Sequence, residues 1–157
     1  MTSAPKLDQI QLTRIVSASP NEVYRAFLDP ARLSQWFGPG GFTVLNSQID
    51  ARVGGQHRTA IAGDNGVRGT FVSEIRELVP DERIVMTWSW VAETPRPADP
   101  PQDGSIVTIA LREISPGSTE LTLTHARLGG LPDEDGAGIA GAWSQALDKL
   151  GDLYPGT

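Results

Sequence analysis

The sequence predicts an α+β fold in which an antiparallel sheet is covered on one face by a long C-terminal helix. Three observations predict it. Between Phe42 and Leu128 the chain is a succession of alternating apolar and polar runs separated by turn residues, the signature of strands. From Gly138 to Tyr154 the period changes: Ile139, Trp143, Leu147, Leu150 and Tyr154 recur at helical spacing. The overall order is one strand, two short helices, six strands and the long helix, which keeps helices and strands apart along the chain. At 157 residues the chain is expected to form one domain, residues 1–157, with a substantial core.

The first strand runs from Lys6 to Val16, with Ile10, Leu12 and Val16 facing one way. Ser19, Pro20 and Glu22 then make a helix start: an N-cap hydroxyl, a proline at the first helical position and a capping-box acid. The helix they open carries Val23, Tyr24, Phe27 and Leu28. Asp29-Pro30 repeats the device for a second short helix bearing Leu33, Trp36 and Phe37, and Gly38-Pro39-Gly40-Gly41 ends it.

Strands follow over Phe42–Asp50, Gln56–Ala62, Val67–Leu78, Arg83–Ala92, Ser105–Ile114 and Thr119–Leu128. Gly54-Gly55 makes a tight turn or bulge, and Gly63-Asp64-Asn65-Gly66 is a hairpin signal. Pro80-Asp81 and Ser115-Pro116-Gly117-Ser118 turn the chain again. Between Glu93 and Asp103 the prolines at 95, 97, 100 and 101 cannot continue a ladder. Pro97 and Pro100 also match a polyproline ligand spacing, but the segment reads as a rigid surface connection between two strands, with a lid shading a pocket mouth as a further role open to it.

The last helix is expected over Gly138–Tyr154, capped by Asp133 or Asp135 and stopped by Pro155-Gly156. Asp133-Glu134-Asp135 reads as a solvated loop favouring the helix N-terminus. A lone helix of this length is marginal in water, so its apolar stripe must rest on the sheet. Burying four or five large side chains there supplies at most roughly 6–15 kcal/mol. The G-A-G-I-A-G spelled by residues 136–141 formally matches a dinucleotide-binding fingerprint. That motif works only after a strand within a βαβ unit, a context missing here.

A formal charge of −6 and a pI near 4.8 speak against nucleic acid and against an anionic membrane surface. Without cysteine there is no disulfide or thiolate chemistry, and no zinc site of the cysteine-containing kinds. No apolar run approaches a membrane span or a secretory h-region, so a soluble cytoplasmic protein is expected.

The order of elements resembles the helix-grip fold of the START-like (SRPBCC) superfamily, which includes the birch-pollen-allergen and polyketide-cyclase relatives. More closely, five stretches are similar to the family named for the activator of the heat-shock-protein-90 ATPase: "VSASPNEVYRAFLDPARLSQWFGP", "DARVGG", "GTFVSEIRELVPDERIVMTW", "VTIALREISPGSTELTLTH" and "GAWSQALDKLGDLY". The resemblance spans nearly the whole chain. It implies a curved sheet of about seven strands gripping the long helix, with an apolar cavity between them. It does not imply one activity, because relatives range from ligand carriers to cyclases to co-chaperone parts.

No G-x-S-x-G, P-loop or H-E-x-x-H motif is present, and the imidazoles are His57 and His125. Each reads as a satisfied sheet histidine or as a general base. A two-histidine metal site would need Asp50 or Glu74 nearby, and no metal or other cofactor is expected. Alternation puts Ile84, Met86, Trp88 and Trp90 on one face of their strand. With Trp36, Phe71 and Trp143 they make either an ordinary core or the aromatic wall of a ligand pocket. The resemblance supports the wall, since Met86-Thr87-Trp88 matches the family's cavity-facing strand. His57, Arg58, Thr70, Ser73 and His125 are candidates for its polar part, although alternation cannot place all of them inside.

The resulting expectation is a monomer or homodimer that binds a small apolar or aromatic molecule through Trp36, His57, Phe71, Met86, Trp88, Trp90, His125 and Trp143. One alternative is a polyketide cyclase- or dehydratase-like enzyme in which His57, His125 or an acid moves a proton. Another is a protein-interaction or co-chaperone-like domain, which needs an exposed apolar patch.

Overall fold

In the computed structural model the chain pairs its first strand with its last. The structure describes residues 7–38, 41–63, 66, 68–92, 105–131 and 133–154, with the backbone alone for 7–8, 90, 92, 127–131 and 133–139. The elements are β1 (Leu7–Val16), α1 (Pro20–Leu28), α2 (Pro30–Leu33), β2 (Phe42–Ile49), β3 (Gln56–Gly63), β4 (Arg68–Val79), β5 (Arg83–Ala92), β6 (Ser105–Ser115), β7 (Ser118–Leu131) and α3 (Asp133–Asp152). All seven strands join one antiparallel sheet in the order β1-β7-β6-β5-β4-β3-β2. The two short helices carry the chain from one edge of this sheet to the other, and the remaining strands meander back. Register shifts between Val44 and Asn46 and between Ile75 and Glu77 mark bulges, which bend strands and help the sheet curl.

The helices lie on the concave face. α3 presents Trp143, Ala146, Leu147 and Leu150 to the core and leaves Gln145, Asp148 and Asp152 outside. It runs against β1, where the Arg14 guanidinium donates to the Ser144 hydroxyl at 2.7 Å and lies 3.4 Å from Asp148. α1 buries Val23, Ala26 and Phe27 and starts where the Ser19 hydroxyl accepts from the Glu22 N–H. The core therefore sits between the sheet and all three helices.

Four boundaries differ by two residues or more from those read off the sequence. α3 starts at Asp133 and ends at Asp152, so Gly136, Gly138 and Gly141 are inside it and the 133–135 acids form its first turn instead of a capping loop. Each glycine costs a helix interior roughly 1 kcal/mol relative to alanine. Leu153 and Tyr154 leave the helix in turns that still pack on the core. α2 stops at Leu33, leaving Trp36 and Phe37 on the following turn. β7 runs on to Leu131, because β1 pairs with it up to Leu7. Ile139's side chain, Asp64 and Asn65 of the hairpin turn, and the proline-rich segment lie outside the described residues. Among the described residues, no helix is long and apolar enough to cross a membrane.

Candidate functional site

Strand alternation, the turn after α2 and the inward stripe of α3 bring a set of rings together. β5 points Ile84, Met86 and Trp88 inward; β4 points Phe71, Ser73 and Ile75 to the same side. Phe37 is the hub, with ring centroids at 5.4 Å from Phe71, 5.7 Å from Trp36, 6.0 Å from Trp88, 6.4 Å from Trp143 and 6.5 Å from His57. Trp88 lies 4.8 Å from Phe71 and 5.0 Å from Trp143. These are the spacings of tilted and edge-to-face aromatic pairs. Trp36, Met86, Trp88 and Trp143 are buried, whereas Phe71 is half-buried, so the cluster reaches toward solvent at that end.

Trp36 serves the framework. Its Nε1–H donates to the Ala26 carbonyl at 3.1 Å and its ring stands edge-on to Phe27 at 4.8 Å, tying the turn after α2 to α1.

His125 is locked in a directed relay. Trp143 Nε1–H donates to His125 Nδ1 at 3.2 Å, so that nitrogen carries no proton. The proton is then on Nε2, which donates to the Ser105 hydroxyl at 2.8 Å; Ser105 in turn donates to the Trp88 carbonyl at 2.9 Å. The side chain is wholly buried, and burial lowers its pKa from 6.5 to about 4. Both ring nitrogens are occupied, which leaves His125 no lone pair for a general base.

His57 is satisfied on one side only. Its Nε2–H donates to the Phe27 carbonyl at 3.3 Å, while Nδ1 is buried with no partner. Burial lowers its pKa to about 4, partly opposed by the Phe27 carbonyl and its own backbone. Directly across the ladder stands Ser73, whose hydroxyl is also buried and unpartnered. Cross-strand partners hold their Cβ atoms about 5 Å apart. Other buried hydroxyls have partners: Thr59 with Ser47, Thr119 with the Ala18 carbonyl, and Ser105 in the relay.

The structure thus brings Trp36, His57, Phe71, Met86, Trp88, His125 and Trp143 to one interior. Trp90 pairs with Phe71 through the backbone, but its side chain lies outside the described residues. Arg58 and Thr70 do not join the interior: Arg58 is exposed, and Thr70 alternates onto the outer face with Glu74. Asp50 and Glu74 are exposed and paired with Arg52 and Arg76, away from the buried histidines. Among the described residues no three histidine or acidic side chains gather as a metal site. Sequence reasoning missed the hub role of Phe37 and the linking role of Ser105. The only local signal for Phe37 was its place beside Trp36. The open depression lined by Gln48, Asp50, Arg52, Gln56 and Arg58 and the groove between Ser19–Asn21 and Ala110–Glu113 both lie off this cluster.

A curled antiparallel sheet gripping a C-terminal helix, with short helices closing one end, defines the helix-grip class of the START-like superfamily. Residues 17–154 match the family described as activator of Hsp90 ATPase homolog 1-like protein, and the chain belongs to that family. A crystal structure of a Chromobacterium violaceum protein is similar at 34% identity and a TM-score of 0.79, over 96% of this chain and 99% of that one. The AHSA1 protein of Silicibacter pomeroyi is 24% identical with a TM-score of 0.76, over 92% and 96% of the two chains, a likeness of fold. A Nitrosomonas europaea protein, 23% identical with a TM-score of 0.74 over 92% of each chain, shares the fold as well. No curated protein matches the chain significantly.

Proposed function

We propose that the protein binds a small apolar or aromatic molecule among Phe37, Phe71, Trp88 and Trp143, between the sheet and α3. The observation that supports this reading is the orphaned pair, His57 Nδ1 and Ser73 Oγ, set beside a ring cluster. A plain core has no use for two unsatisfied polar atoms, each costing about 1–3 kcal/mol. A binding site does: apolar walls supply affinity, and a few polar atoms orient the guest.

Tryptophan fluorescence tests this directly. Titration with flat aromatic compounds is expected to give saturable quenching and to return the compound unchanged. No response to any compound, together with core-like losses of about 3–5 kcal/mol on truncating Trp88 and Trp143 to alanine, would mean a filled core.

One observation favours a second reading, turnover of the cyclase or dehydratase type. Nδ1 of His57 is a free lone pair in an apolar interior, and both nitrogens of His125 are taken. Conversion of a compound in the panel that disappears in His57→Gln, with binding kept, would establish it; general acid–base loss is about 10²–10⁴-fold.

A further inference from the structure

Resting on that reading of the site, we propose that the bound molecule is uncharged and carries a phenol- or enol-type hydroxyl that His57 Nδ1 and Ser73 Oγ hold together. The argument starts from the direction of the existing bond. A carbonyl can only accept, so the contact to Phe27 puts the His57 proton on Nε2 and leaves Nδ1 as an acceptor. The guest must therefore donate to Nδ1. The Ser73 hydroxyl, opposite His57 in the β3–β4 register, can donate to whatever oxygen arrives. One hydroxyl completes both atoms at once: its O–H goes to Nδ1 and its oxygen accepts from Ser73.

Charge narrows the class further. The buried polar residues among those described are His57, Thr59, Ser73, Ser105, Thr119 and His125; none is an acid, lysine or arginine. A carboxylate would set its lone pairs against that of Nδ1 with no cation to neutralise it, and an ammonium would find no counter-charge. A pure hydrocarbon fits the rings but leaves the pair unsatisfied. Phe71, Trp88 and Trp143 pack on one another with centroids about 5 Å apart, so the apolar part of the guest lies against an aromatic surface.

Three probes with one ring system decide it: 2-naphthol, naphthalene and 2-naphthoate, titrated at neutral pH by tryptophan fluorescence. Naphthol is expected to bind about tenfold more tightly than naphthalene, the worth of one or two net hydrogen bonds, and naphthoate the weakest of the three. Ser73→Ala should shrink the advantage of naphthol over naphthalene severalfold and leave the free protein at least as stable. Equal binding of naphthol and naphthalene would show that water or nothing serves the pair; it would overturn this inference while the binding reading stood. Strongest binding by naphthoate would overturn it too. Failure of all three probes would remove both. The comparison on the unaltered protein decides without any variant.

Discussion

Nδ1 of His125 accepts from the indole N–H of Trp143 at 3.2 Å, and through that bond α3 is joined to the sheet inside the core. Packing alone would allow α3 to slide along its apolar stripe. A buried directional bond sets its depth and rotation, because a displaced helix would leave a donor and an acceptor unpaired.

Trp143→Phe keeps most of the ring but removes the donor. It is expected to cost about 1–3 kcal/mol, the desolvation penalty of an unpaired Nδ1 plus lost packing. Combined with Ser105→Ala it should be non-additive by about 0.5 kcal/mol or more, since both belong to one relay. Urea unfolding of the two single variants and the double variant measures this. Simple additivity would mean that the relay transmits nothing.

Stability should fall on acidification from pH 6.5 toward 4. His57 and His125 are held near 4 in the folded protein against 6.5 for a free imidazole. The unfolded chain thus takes up these protons first, so the stabilisation is complete above 6.5 and is lost as pH drops toward 4. Each histidine gives up at most roughly 2 kcal/mol by about pH 5. Unfolding midpoints at about pH 7 and about pH 5 should differ accordingly, and less so in His57→Phe. Equal midpoints would show that neither imidazole is buried as described.

Two glycines should answer oppositely to alanine. A Cβ at Gly55 would collide with the Asp50 carbonyl oxygen, so Gly55→Ala is expected to cost about 1–3 kcal/mol. At Gly141, inside α3, a Cβ meets nothing within 4 Å. Gly141→Ala should therefore raise stability by about 0.5–1 kcal/mol through helix propensity. Thermal melts of the two variants check the signs, and a stabilising Gly55→Ala would contradict the turn geometry.

Most of the fold was legible because it is written in local chemistry. Ser19 and Pro20 start α1 as capping rules require, and Ile84, Met86 and Trp88 face inward on a period of two. Leu147 and Leu150 face inward on a period of 3.6. The start of α3 was not legible, because three glycines argue against a helix where the chain forms one. Trp36 and Phe37 were placed on a helix that ends before them, since four residues carry too weak a period to set a boundary.

The candidate site divides in the same way. The sequence by itself determined which residue types lie inside, since a period tells each side chain its face. It named both histidines and Ser73 without distinguishing their states. Only the tertiary structure decided that His57 stands opposite Ser73 with an empty lone pair, and that His125 is closed between Trp143 and Ser105. Hydrogen bonds are made or lost over a few tenths of an ångström. The register that sets those distances belongs to pairs of strands and to the docking of α3, which no single stretch of sequence contains.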